Sequence, residues 1–205
     1  NLTSTGVTFN AEFQCNGCSN VSQGLANNTD IVVEALLVQT GEASGNNSST
    51  VTTHTIGENY GGGYVFFVTP DGKHGLIAAT SDQSSFVRWG TTTAVNAVRD
   101  GINAGKANTE RIILVQGSAG DYAAQIAANY QGGGFGDWYL PSKYELNLLF
   151  QKKIFVGLFP GFRYWSSNES GNSNAWGQDF NDIWGAQYYT NRTQKHSSVR
   201  AIRSF

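Results

Sequence analysis

The chain reads as an α+β domain, on three observations. Tyr64-Val65-Phe66-Phe67-Val68 is a short apolar run of β-formers. It is followed by the turn signal Pro70-Asp71-Gly72 and a return run, Gly75-Leu76-Ile77-Ala78-Ala79, which together predict a hairpin. Helical spacing comes next, over residues 94–104 and 119–130; in the second, Tyr122, Ile126 and Tyr130 recur at i, i+4 and i+8 on an Ala-rich background. Finally, Leu140-Pro141-Ser142-Lys143-Tyr144-Glu145-Leu146 predicts a helix start. Ser142 can accept the amide of Glu145 while the Glu145 carboxylate reaches back to the amide of Ser142, a reciprocal capping box. That helix should run to about Lys152, with Lys152 and Lys153 at its negative end.

The remaining elements follow in order. Residues 1–53 differ from the rest: Val7, Phe9, Phe13 and the run Ile31–Val38 are strand-like, with Asn/Gly/Ser turns between them. Gly41 to Thr53 is a polar stretch that reads as a linker or exposed loop. The boundary is placed there, dividing a β-rich segment and linker (1–53) from the main domain (54–205). Everything after Phe159 is rich in Gly, Asn and Ser with regularly placed aromatics, and reads as short strands and long loops.

Composition narrows the classes. The 205 residues carry a net charge of -2 and only 14% charged side chains, with 13% aromatics and 25 glycines. The length suits one large domain, or one with a small extra module. Five Trp, nine Tyr and twelve Phe argue against disorder. A near-neutral balance argues against electrostatic nucleic-acid binding, and no apolar run is long enough to span a bilayer.

Cysteine is sparse. Cys15 and Cys18 form the only pair, and a zinc site would need two more ligands. His54, His74 and His196 are scattered, and the flanks of the pair do not suggest a strand opening into a helix. A local disulfide or two free thiols is the favoured reading over metal or redox chemistry. The start, Asn1-Leu2-Thr3-Ser4-Thr5-Gly6, lacks the features of a signal peptide and is read as a mature terminus or a cut edge. Asn-x-Ser/Thr triplets at Asn20, Asn47 and Asn168 matter only in a secreting eukaryote.

The glycine runs invite phosphate-loop readings, and both fail. Gly132-Gly133-Gly134-Phe135-Gly136 lacks the Lys-Ser/Thr of a Walker loop, and Gly61-Gly62-Gly63 precedes a strand. Turns or close backbone packing explain them better. Asp121, Asp137, Glu145, Glu169, Asp179 and Asp182 have no spacing that pairs them as acid and base, and no nucleophile elbow is present. No catalytic residue, metal or cofactor is assigned.

The segment Gly133-Gly134-Phe135-Gly136-Asp137-Trp138-Tyr139-Leu140-Pro141-Ser142-Lys143-Tyr144-Glu145-Leu146-Asn147-Leu148-Leu149 resembles the C-terminal domain of the Legionella collagen-like adhesin and its bacterial relatives. The hairpin Gly63–Ala79, the stretch from Tyr164-Trp165-Ser166-Ser167 to Gln178-Asp179-Phe180, and the closing Ser198–Phe205 agree in order and spacing, over roughly residues 57–205. The resemblance implies a C-type-lectin-like fold of the kind shared with formylglycine-generating enzymes, with an irregular C-terminal loop surface that binds ligands. The enzymes' activity is not implied, because their cysteines lie in the C-terminal half. Calcium-lectin signatures are missing too: there is no Glu-Pro-Asn, and Phe180-Asn181-Asp182 only loosely echoes Trp-Asn-Asp.

Some proteins of this fold are variable proteins of diversity-generating retroelements, in which adenines of the coding repeat, most often in Asn codons, are mutagenised. In residues 161–205, family-like positions (Tyr164, Trp165, Ser166, Ser167, Ala175, Trp176, Gln178, Phe180, Val199, Arg200) alternate with residue types that such mutagenesis yields. The resulting ligand-binding candidates are Asn168, Ser170, Asn172, Asn174, Asn181, Asp182, Ile183, Trp184, Tyr188, Tyr189, Asn191, Thr193 and His196. Trp184 departs from the pattern, because Trp cannot arise from an Asn codon by adenine changes alone.

Side-chain physics points the same way: exposed Tyr and Trp give rigid contact area, and Asn and Ser give adaptable hydrogen bonds. Trp165, Trp176 and Phe180 are expected in the core, and Arg200 and Arg203 as buried partners of Asp137 or Glu169. The expectation is a non-catalytic binding protein displayed on a cell or virion surface, contacting a protein or glycan. Its rival is a fixed-specificity adhesin for sulfated or other polysaccharides, weakened by the few cations outside the closing strand, Arg163, Arg192 and Lys195. No heptads or collagen triplets enforce an oligomer.

Overall fold

A computed structural model describes residues 52–171, 173–181 and 183–205. The segment 1–51, with the strand-like runs, Cys15, Cys18, Asn20, Asn47 and most of the linker stretch, lies outside the described residues, as do Asn172 and Asp182. Along the described chain come β1 (Asn59–Tyr60), β2 (Gly63–Val68), β3 (Gly75–Ala79), β4 (Ser84–Val87), α1 (Ala104–Gln116), α2 (Ala123–Ala128) and α3 (Lys143–Gln151). Five strands follow: β5 (Arg163–Ser170), β6 (Asn174–Asp179), β7 (Gln187–Asn191), β8 (Ser197–Val199) and β9 (Ile202–Ser204). The domain is thus mixed helix and sheet, as the α+β reading requires.

The hairpin forms where Pro70-Asp71-Gly72 places it, joining β2 to β3 antiparallel. Its strands read as unbroken apolar runs because both faces are covered. Val65 and Ile77 enter one core cluster, with Trp89, Ile112, Trp138 and Trp165. Phe66 and Leu76 enter the other, with Tyr139, Leu146, Tyr164 and Phe180. The hairpin belongs to a four-stranded sheet of order β1-β2-β3-β9; the second sheet has order β4-β8-β5-β6-β7, with β5 and β8 parallel.

The closing strand is fastened from three sides. Its backbone pairs with Tyr139, Tyr139 N donating to Ile202 O at 2.8 Å and Ile202 N donating back at 3.0 Å. Arg203 forks onto Asp137 at 2.7 and 3.1 Å and stacks 3.8 Å from the centre of the Phe135 ring. Asp137 was an expected partner of this arginine pair, but Arg200 takes Asp82, at 2.8 Å, together with the carbonyls of Ala79 and Leu158. Glu169 pairs with Arg192 instead.

The two glycine runs explain each other. A Cβ on Gly62 would lie 2.6 Å from the Gly132 carbonyl oxygen, and one on Gly133 would lie 2.3 Å from Gly62 Cα. The runs are therefore where two backbones touch, and glycine is the residue that permits it.

α3 begins as expected: Ser142 Oγ accepts from Glu145 N at 3.2 Å, and the Glu145 carboxylate accepts from Ser142 N at 2.8 Å. That carboxylate does more than cap its own helix. It also accepts from Asn103 N, Gly105 N and the Tyr139 hydroxyl, tying the start of α1 to the start of α3. The helix expected at 94–104 is not there; α1 starts at Ala104. The amides of Val95 and Asn96 are drawn off by the Glu169 carboxylate and that of Arg99 by Asn108 Oδ1, while Asn96 and Asn103 sit at positive φ. Those donors and dihedrals are unavailable to a helix.

Two outcomes follow. Arg192→Ala leaves the buried Glu169 without its cation and should lower unfolding free energy by about 3–5 kcal/mol, read by urea denaturation. Asp137 is held below the usual carboxylate range, first by its hydrogen bond from Arg203, against the opposing effect of burial. Its contribution is then present above the unfolded-state pKa of ~3.9 and is lost as pH falls through the lower folded value. Thermal melts of Asp137→Asn should differ from wild type most at neutral pH, the gap closing on the acid side; a gap that widens in acid would contradict this.

Candidate functional site

β7 is the outer strand of its sheet, and its exposure alternates along Gln187-Tyr188-Tyr189-Thr190-Asn191. Register with β6 sets Asn174 opposite Asn191, Trp176 opposite Tyr189 and Gly177 opposite Tyr188. Because side chains alternate between faces, two different surfaces result.

On the outward face, the Trp176 and Tyr189 rings meet edge to face at 5.4 Å, and Tyr189 is 61% exposed. Lys143 Nζ lies 4.5 Å from the centre of the Trp176 ring. α3 holds this arrangement from one side. Gln187 Nε2 donates to the Lys143 carbonyl at 2.9 Å, and Gln178 Nε2 donates to Asn147 Oδ1 and to the Gly185 carbonyl. Beyond the aromatic pair, Asn191 Oδ1 accepts from the amide and hydroxyl of Thr193, closing the turn after β7. The result is a rigid aromatic pair bordered by amides and one cation.

On the other face, Tyr188 lies against Gly177, where a Cβ would come 2.7 Å from the tyrosine oxygen. Its hydroxyl shares a hydrogen bond with Ser197 Oγ at 2.8 Å. Burial is the main cause that pushes the Tyr188 hydroxyl up to about 12, so it stays a neutral phenol. The Arg163 guanidinium lies 5.2 Å from the same ring and 3.5 Å from Asp179. Beside it opens a cleft of about 480 Å³, lined by Phe86, Phe162, Arg163, Asp179, Asn181, Lys195, His196 and Ser198. Phe86 is exposed at an irregularity in the β4–β8 pairing and has φ 49, an uncommon conformation for a phenylalanine.

The expected contact residues therefore divide. Asn174, Tyr189, Asn191 and Thr193 belong to the outward face and its turn, with Ser170 opposite Asn174 on β5. Asn181 and His196 line the cleft, and Ile183 and Trp184 project from the loop between β6 and β7. Tyr188 is half-buried beneath the outward face. Asn168 is 5% exposed, its amide oxygen accepting from Lys143 N and its amide nitrogen donating to the Arg99 carbonyl. It ties α3 to the loop before α1, which leaves little of it for a ligand. Trp165 and Phe180 lie in the core as expected, but Trp176 does not. The clue was present: in Asn174-Ala175-Trp176-Gly177 the small residues alternate with Asn and Trp, so Trp176 shares the face of Asn174.

The carboxylates weighed as acid–base candidates are mostly engaged: Asp137 with Arg203, Glu145 with amides, Glu169 with Arg192 and amides, Asp179 with Arg163. Among the described residues, no group of three or more His, Cys, Asp or Glu is placed to hold a metal, and no helix is long and apolar enough to cross a membrane.

No curated protein matches the chain. A family model does: the Lcl C-terminal domain matches residues 78–203, from the return strand of the hairpin through β9 and including both faces just described. The match covers more than half of the chain, which therefore belongs to the Lcl C-terminal domain family and is an adhesin-like, ligand-binding domain.

Proposed function

We propose that this chain is a non-catalytic receptor- or adhesin-type domain, displayed on a cell or virion surface. Its ligand is a protein or glycan on another cell or virus, and its contact surface is the outward face of β6 and β7 with the adjoining turns. The Trp176–Tyr189 pair carries the reading. A cross-strand aromatic pair braced by Lys143, half in solvent and fixed by its sheet, has the rigidity and contact area of a binding hot spot. A C-type-lectin-like fold is the finer description we favour, since ligands there are met by the C-terminal part of the chain.

The variable-protein reading gains support from how exposure is distributed. Of the family-like positions, Tyr164, Trp165, Ser166, Ser167, Ala175, Gln178, Phe180, Val199 and Arg200 are buried, and Trp176 is half-buried. Asn181, Ile183, Trp184, Tyr189, Asn191, Thr193 and His196 are exposed. A gene so diversified would have a nearby template repeat, differing from the coding repeat for residues 168–196 only at adenines; absence of such a repeat removes this reading and leaves a fixed-specificity domain. The cleft gives the polysaccharide alternative one foothold, because Arg163, Lys195 and His196 converge there. Retention on immobilised heparin, lost with moderate salt, would favour it.

Substitution separates surface from framework. Trp176→Ala with Tyr189→Ala should reduce adhesion of protein-coated beads to target cells by about tenfold or more, at nearly unchanged melting temperature. Asn168→Ala should do the reverse, costing about 1–2 kcal/mol of stability by orphaning the Lys143 amide and removing one of the two donors to the Arg99 carbonyl, the other being Asn108 Nδ2. Equal adhesion by the double variant and wild type would refute the assignment of this face.

A further inference from the structure

The outermost strands of an open sheet leave half of their backbone groups unpaired, and native folds blunt such edges. Three of the four edges here are blunted. β1 is two residues long. β9 exchanges hydrogen bonds in both directions with Tyr139 at Ile202. β4 carries a register shift and the positive φ of Phe86, and just past it Ala123 N donates to the Arg88 carbonyl at 3.0 Å. β7 has none of these devices. It pairs with β6 over five residues in one register, and Gln187-Tyr188-Tyr189-Thr190-Asn191 holds no charge and no proline.

The ladder fixes which groups of β7 face outward. Asp179 N donates to the Ala186 carbonyl at 2.9 Å and Arg192 N to the Ser173 carbonyl at 3.1 Å. In this register the residues hydrogen-bonded to β6 are therefore Ala186, Tyr188, Thr190 and Arg192. Alternate residues of an antiparallel pair turn their amides and carbonyls the other way. Those of Gln187, Tyr189 and Asn191 point out from the edge. The Asn191 carbonyl accepts from Gln194 N at 3.3 Å in the turn. The amides and carbonyls of Gln187 and Tyr189 meet no partner among the described residues.

We propose that this edge takes an extended segment of a protein ligand as a further strand of the sheet. The inference deepens the reading of the β6–β7 face and rests on it, naming a polypeptide as what that face meets. Two amides and two carbonyls, in one plane and at strand spacing, are matched by another extended backbone. The added strand runs alongside Tyr189, and its side chain beside that ring joins the Trp176–Tyr189 pair, where an aromatic or β-branched residue packs well. A second copy of the chain fits this edge less well. Paired about a twofold axis through Tyr188, it would set the loop before each β7 against the turn after the other, and neither is strand. A lone extended segment has no such flanks.

The probe is a library of random peptides displayed on phage and selected on the wild-type chain, with those retained made synthetically. Followed by NMR, the amides of Gln187 and Tyr189 should exchange fast in the free protein and about tenfold or more slowly with peptide bound. Methylating alternate peptide amides should abolish binding in one phase and spare it in the other. Gln187→Pro loses an N–H that lies outside the ladder, at the first residue of β7, and should melt nearly as wild type does. It should bind peptide about tenfold more weakly than Gln187→Ala, which loses the same side chain and keeps the N–H. No selected peptide, peptides that leave both amides fast, or peptides indifferent to the phase of methylation overturn the proposal. So does protection of both amides that grows with protein concentration and needs no peptide, which marks pairing between copies. Loss of adhesion by Trp176→Ala with Tyr189→Ala, while both amides stay fast under every peptide, keeps the ligand face and sinks strand addition alone. The reverse pattern keeps the edge and fails the face.

Discussion

Arg192 sits just past the end of β7 with none of its side chain exposed, and a guanidinium can be buried only with partners at hand. Glu169, on β5, provides the countercharge, and the carbonyl of Thr92 accepts a second donor. The backbone at Arg192 is committed as well, its amide donating to Ser173 O and its carbonyl accepting from Gly90 N. One residue, through its side chain and its backbone, thus links the outer strand, the β5–β6 turn and the loop before α1. Such a pair contributes little net stability after desolvation, but it admits few alternatives to the arrangement it holds. The outward face of β6 and β7 keeps its geometry because its last strand is pinned from behind.

The same carboxylate shapes the other half of the domain. By taking the amides of Val95 and Asn96, Glu169 holds residues 95–97 against the sheet as irregular chain, and α1 starts only at Ala104. Glu145 plays the corresponding part for the helices. Burial raises its pKa against the lowering effect of the donors around it, which include the amides of Ser142 and Asn103 and the Tyr139 hydroxyl. Two buried carboxylates therefore organise the irregular segments that strands and helices leave over. The sheets alone would not fix those segments, since few of their backbone groups belong to any ladder.

Legibility in the sequence followed the range of the interactions. The hairpin and the capping box rest on contacts within a few residues, and both stand where the spacing put them. The helix expected at 94–104 failed because its amides are claimed from more than seventy positions away, by a residue no local pattern connects to it. The partner of Arg203 was foreseen, whereas that of Arg200 was not, since nothing local distinguishes Asp82 from other carboxylates. Trp176 was misassigned through its residue type, although the alternation around it indicated its face. That Phe86 and Phe162 line one cleft was invisible in the sequence, because they come to it only once β4 and β5 lie in one sheet.

Glycine and aromatic residues, which dominate the composition, divide the labour of this surface. Gly177 leaves room for the hydroxyl end of the Tyr188 ring against β6, and burial keeps that tyrosine as a support, while Tyr189, the next residue, points outward. Strand alternation thus makes adjacent tyrosines unlike in consequence: changing Tyr189 alters the exposed surface, while changing Tyr188 alters what Tyr189 stands on. The same holds for Asn168 and Asn191, which are alike in chemistry but differ in burial. A surface that can change side chains without unfolding needs its backbone fixed by groups the changes leave alone, and Arg192, Glu169, Gln178 and Asn168 supply that. The positions whose side chains are free to vary are therefore fewer than residue type alone suggests, and they are the ones that face away from those anchors.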